Sequence, residues 1–155
     1  MRSLSVRIAV IAVLLFLAPS AVFASLGGSL SSVESDRAHM KSALVRIARV
    51  DSYTVHETLS PTGTTVREYV GADGIVFGVS WAGQFPPDLR QLLGNYFDQY
   101  RNGAQTTARA RKARGRMAIN QAGFVVRTAA HTRSFFGIAY APNLLPAGVS
   151  PSVVR

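Results

Sequence analysis

The chain has 155 residues, no cysteine, and 17 basic against 8 acidic residues, a formal net charge of +9. That composition excludes disulfides, thiolate catalysis, cysteine-rich zinc sites and a lipid-modified cysteine. The positive surplus favours anionic partners and is silent on fold.

Residues 1–24 have the three-part layout of a signal peptide. Arg2 and Arg7 are positive, Ile8 to Leu17 are apolar without interruption, and Val22-Phe23-Ala24 suits a signal peptidase. The apolar run is about ten residues, against roughly 20 for a membrane-spanning helix. The pattern predicts cleavage after Ala24 and delivery to the periplasm or outer envelope, with release from the cell as a further destination. Cleavage leaves 131 residues, one domain over 25–155. It removes two arginines, so 15 basic residues stand against 8 acidic, a net charge of +7. No later apolar run reaches spanning length.

Ser25 to Ser31 is rich in Gly and Ser and reads as a flexible lead-in. Ser31 and Glu34 have capping-box spacing. With Val33, Met40, Leu44 and Ile47 on one face they predict a helix over about 32–45, although Leu44 to Val50 is also β-branched enough to be a first strand. Tyr53 to Leu59 and Thr65 to Val70 read as a hairpin around Ser60-Pro61-Thr62-Gly63-Thr64. After a turn at Ala72-Asp73-Gly74, the alternation of Ile75, Phe77, Val79 and Trp81 predicts a central strand with one large apolar face.

Pro86-Pro87-Asp88 opens a second helix over 87–101. Leu89, Leu92, Leu93, Tyr96, Phe97 and Tyr100 form its apolar stripe, and Asn102-Gly103 forms its end. Residues 103–116 read as a basic loop, followed by strand signals at 117–120, 124–128 and 133–140 and an extended tail over 142–155. The predicted fold is α+β: an N-terminal helix, an antiparallel sheet of about five strands, one amphipathic helix packed on it, and the basic loop between the two strand groups.

Arg109, Arg111, Lys112, Arg114 and Arg116 are the candidate anion-binding residues, since closely spaced guanidinium groups bridge successive phosphates. The plain alternative is a solvated loop. Aromatics are not interleaved with these charges, so base stacking is unsupported, and export argues against nucleic acid. His56, Glu68 and His131 are the candidate polar cluster: His56 faces Glu68 across the predicted hairpin, where the pair would hold the imidazole near neutrality. An ordinary polar pair on a solvated face, or an ion pair of Glu68 with Arg67 or Arg133, explains the same residues. Gly78-Val79-Ser80-Trp81-Ala82 lacks the last glycine of a nucleophile elbow and lies within a strand. No catalytic, metal or cofactor motif is recognised, and no cofactor is expected.

Several runs together resemble a known family. They are Ala24-Ser25-Leu26-Gly27-Gly28, Tyr53-Thr54-Val55-His56-Glu57, Val66-Arg67-Glu68-Tyr69-Val70, Val76-Phe77-Gly78-Val79-Ser80-Trp81, Pro87-Asp88-Leu89-Arg90-Gln91-Leu92-Leu93-Gly94 and Leu145-Pro146-Ala147-Gly148-Val149. In order and spacing they resemble the domain of unknown function 2844 family, over nearly the whole mature chain. The resemblance implies export and a single compact domain, and it implies no activity. Ala129-Ala130-His131 stands where the resemblance leads one to expect a glycine-rich turn. The leading expectation is a non-enzymatic envelope protein that binds phospholipid, lipopolysaccharide or another envelope protein through its sheet face or basic loop. The competing expectation is a small periplasmic enzyme or ligand carrier with a pocket between the 87–101 helix and the sheet.

Overall fold

The computed structural model describes residues 26–110 and 115–155. The predicted signal peptide therefore lies outside the described residues. Seven strands form one antiparallel sheet: β1 Ala43–Val50, β2 Tyr53–Leu59, β3 Thr65–Gly71, β4 Val76–Gly83, β5 Arg116–Gln121, β6 Phe124–His131 and β7 Ser134–Tyr140. Their order is β1-β2-β3-β4-β7-β6-β5. The first four strands meander. The chain then crosses one face as helix, starts again at the far edge with β5, and closes inward until β7 pairs with β4.

This corrects the expected sheet of about five strands. All six stretches with strand signals join the sheet, and β1 is the seventh. Met40, Leu44 and Ile47 have helical spacing, but helix α1 spans only Leu30–His39, ten residues, and does not reach them. Lys41 takes a left-handed φ of 51° and turns the chain, and the β-branched run after it pairs with β2. The expected capping box does not form either: Ser29 is the N-cap, and Glu34 pairs with Arg37 one turn on.

The second helix is also different from its expectation. Asp88 caps it by accepting hydrogen bonds from the Arg90 and Gln91 amides at 3.0 and 3.1 Å. Helix α2, Leu89–Leu93, stops at Gly94, whose φ is 48°. A 3-10 turn over Gly94–Tyr96 leads into α3, Phe97–Ala110. The helix thus runs past Gly103, which is a packing residue and not an end: a Cβ there would lie 2.7 Å from Ile119 Cδ1. The expected basic loop over 103–116 is therefore helical as far as Ala110.

Side chains alternate between two faces of the sheet. Val66, Val70, Val79, Trp81, Ile119, Val126 and Ala139 point to the helical side and form the main core with Leu92, Leu93, Tyr96 and Phe97. Tyr96 stacks on Phe124 at 5.3 Å. A pocket between helix and sheet was expected on the competing reading, but core side chains fill this space. On the other face, Tyr69, Phe77, Val154 and their neighbours make a second cluster. A register shift beside Val70 sends Phe77 to that face, away from Val79 and Trp81, so the expected single apolar face of this strand is split.

Both chain segments expected to be loose are tied down. Leu26 is buried, and Gly27 and Gly28 exchange main-chain hydrogen bonds with Val76. The segment after β7 forms two 3-10 turns, Pro142–Leu144 and Pro151–Val153. Val154 then packs on Gly78, where a Cβ would come within 2.6 Å of it.

Candidate functional site

Two places concentrate chemistry. The first is the sheet face away from the helices. Pairing sets Arg116, Ala129 and Phe136 side by side, and one step further Ala118, Arg127 and Ile138. The second row continues through Ser80, Arg67, Glu57 and Arg46 to the opposite edge. Over β5 to β7 this face forms an open cleft of about 620 Å³. Its floor is apolar, with Phe136 46% exposed, and its lining holds Arg116, Arg127 and Arg155 but no acidic residue. Its size lies within the range of small-molecule sites, about 300–1,000 Å³.

The chain after Ser150 walls the cleft on its inner side. The main-chain oxygen of Arg155 accepts hydrogen bonds from Tyr69 Oη at 2.7 Å, Ser80 Oγ at 3.0 Å and Arg67 Nη1 at 3.2 Å. Tyr69 and Ser80 are buried, so these bonds are shielded from competing water and hold the segment in place. Beyond it Glu57 pairs with Arg67 at 2.6 Å and with Arg46 at 3.7 Å. The ion pair expected of Glu68 therefore belongs to Glu57, because Arg67 and Glu68 point to opposite faces.

The second place lies under α1. Glu68 in β3 is buried among core residues, with neither carboxylate oxygen hydrogen-bonded. Asp36 turns inward from α1 and accepts a hydrogen bond from the Gln91 side chain, while its Oδ2 has no partner. Burial pushes the Asp36 carboxyl up to about 7, against the pull of Gln91 and with a further push from Asp88. Burial, and then the charge of Asp36, push Glu68 well above the usual carboxylate range. Thr58 and Ser42, both buried, carry hydroxyls that also lack partners.

The expected residues separate. His56 does lie opposite Glu68 across β2 and β3. It makes no hydrogen bond to Glu68; its Nε2 is 3.4 Å from Thr54 Oγ1, and burial pushes its pKa down instead of holding it near neutrality. His131 lies on the other face of the sheet, stacked on Phe136 at 6.5 Å. The triad is not assembled, and among the described residues no three His, Asp or Glu side chains gather as a metal site. Of the basic residues, Arg109 is in α3, Arg116 is exposed at the cleft, and Arg111, Lys112 and Arg114 lie outside the described residues. The sequence reading missed Asp36, Gln91 and Arg127. Asp36 had a legible signal, since it falls on the same helical face as Val33 and Met40.

A family model described as "Protein of unknown function (DUF2844)" matches residues 22–154. The chain belongs to that family. No curated protein and no solved structure matches it. Among the described residues no helix is long and apolar enough to cross a membrane.

Proposed function

We propose, for this member of the family, an exported and non-enzymatic binding protein of the cell envelope that takes a single-chain anionic lipid on the open face of its sheet. The observation that carries the reading is the cleft over β5 to β7, whose described lining has an apolar floor and three arginines but no Asp or Glu. An acyl chain would cover Phe136, Ile138 and Ala118, and the acidic head would sit among Arg116, Arg127 and Arg155. Each methylene removed from water contributes about 0.8 kcal/mol, so ten contribute about 8 kcal/mol. Association costs offset at least about 4 kcal/mol of that. With a modest gain from solvent-screened arginines the dissociation constant falls on the order of 10–100 µM. In sequence, Arg109, Arg111, Lys112 and Arg114 precede Arg116 and add to the positive charge of the chain.

The test is titration of the protein with oleate, lyso-phosphatidylglycerol, oleyl alcohol and inorganic phosphate. Oleate and the lysolipid should bind in a salt-sensitive way, weakened at least tenfold by Phe136→Asp and several-fold by Arg127→Ala. Equal binding of oleyl alcohol would remove the arginines from the reading. Failure of both anionic lipids to bind would refute it.

A further inference from the structure

We propose that Asp36 and Glu68, with the hydroxyl of Thr58, hold a calcium ion between α1 and the sheet. The inference rests on how this helix is built. A short helix laid on a sheet ordinarily buries an apolar stripe. Here the buried residues of α1 are Ser32, Val33 and Asp36, while Leu30 is left 47% exposed. The helix brings a carboxylate into the interior on the side where Val33 joins the core cluster of Val66 and Val70, the two residues that flank Glu68 on the same face of β3.

Nothing cationic answers them. Among the described residues neither carboxylate has an Arg, Lys or His partner, although Arg37 and His39 are on the same helix; these turn outward to Glu34 and Asp88. Burial pushes down the pKa of His56, one strand from Glu68, and so disfavours its charged form. Two buried negative charges without a counter-charge are strongly destabilising. Asp36 Oδ2, both Glu68 oxygens, Thr58 Oγ1 and Ser42 Oγ also lack hydrogen-bond partners, and all four residues are more than nine-tenths buried. Thr58 is paired with Val66 and so shares the helical face with Glu68, two residues along β3. Its hydroxyl is buried on that face without a hydrogen-bond partner.

The donor set selects the ion. It is all oxygen, carboxylate and hydroxyl, which suits a hard cation and not zinc or copper. Two carboxylates neutralise a divalent charge. Calcium accepts irregular oxygen shells, whereas magnesium demands near-ideal octahedral geometry and gives up its waters reluctantly. Two carboxylates make a weak site, of the order of the 10⁻⁴–10⁻³ M constants of extracellular calcium modules. Such a site fills where calcium is millimolar, outside the cytoplasm.

The experiment is thermal unfolding of the whole protein in EDTA, in 10 mM calcium and in 10 mM magnesium, with isothermal titration by calcium. For a constant near 1 mM, calcium should raise Tm by about 3–5 °C over EDTA. Glu68→Gln should abolish that shift while its Tm in EDTA stays at or above wild type, which separates lost binding from lost folding. Thr58→Val should at least halve the shift. An equal shift in wild type and Glu68→Gln would overturn the site, and an equal shift from magnesium would overturn the assignment to calcium. A wild type that ignores both ions but gains stability on acidification would show that the carboxyl pair holds a proton instead.

Discussion

Asp36→Asn should stabilise the protein at neutral pH and leave its stability unchanged in acid, when measured in EDTA. Asp36 is fully buried, and burial lifts its pKa from 3.8 to about 7. Between those values the folded protein keeps a proton that the unfolded chain has released. The stabilisation from this group is therefore complete below the unfolded pKa and is lost as pH rises through the folded one. At about 1.4 kcal/mol for each tenfold change, the interval from 3.8 to about 7 corresponds to about 4 kcal/mol. That is a ceiling, because Glu68 draws on the same proton. It is also a large share of the 5–15 kcal/mol that holds an ordinary domain together. Asparagine keeps the oxygen that accepts from Gln91, carries no charge to desolvate, and puts a donor where the unpartnered Oδ2 stands. Urea unfolding at about pH 4, 5, 6, 7 and 8 gives the assay, read as variant minus wild type. The difference removes the contributions of titrating groups that do not interact with Asp36. It should be near zero at pH 4 and reach about 2–4 kcal/mol at pH 8. A flat difference, or a wild type more stable than the variant at pH 8, would refute the claim that this carboxyl is buried without compensation.

Other outcomes follow from packing and targeting. Gly103→Ala should destabilise the protein, although alanine in an exposed helix is better than glycine by about 1 kcal/mol; three side-chain atoms of buried Ile119 lie within 3.0 Å of the new Cβ. A rise in Tm would show that α3 does not approach β5 so closely. Protein recovered from the periplasm should have the intact mass of residues 25–155, and Ala24→Arg should block processing. A mature protein that retains residues 1–24 would refute the predicted cleavage.

Much of the sheet was legible because alternation is a local signal. The stretches predicted from Tyr53 onward appear as β2 to β7 within a few residues. What failed were places where local and distant demands conflict. Leu44 to Val50 satisfies both a helical stripe and a β-branched run, and the edge of β2, invisible in sequence, decides for the strand. Gly103 looks like a helix end, but Ile119, sixteen residues on, makes it a contact point inside one. Phe77 alternates with Val79 on paper, and a one-residue bulge opposite Val70 turns it to the other face. The site was less legible for the same reason. Sequence spacing could match His56 to Glu68 across a hairpin, yet it could not bring Asp36, thirty-two residues earlier, into the pair.

The two faces of the sheet carry different demands, and this bears on where binding belongs. The path from β4 to the far-edge strand β5 must cross the sheet, and the chain crosses it as α2 and α3, which spends its apolar stripe on one face. Among the described residues, those after β7 cover the opposite face. Those residues reach the centre, where Gly78 admits Val154 and Tyr69, Ser80 and Arg67 fix the main chain of Arg155. Over β5 to β7 they leave an open cleft. The strands there carry Arg116 and Arg127 between small or apolar neighbours, a combination that core packing does not require and water does not favour. An acidic amphiphile would satisfy both halves of it at once: its chain would cover a floor left open among the described residues, and its head would meet arginines that pair with no Asp or Glu among them.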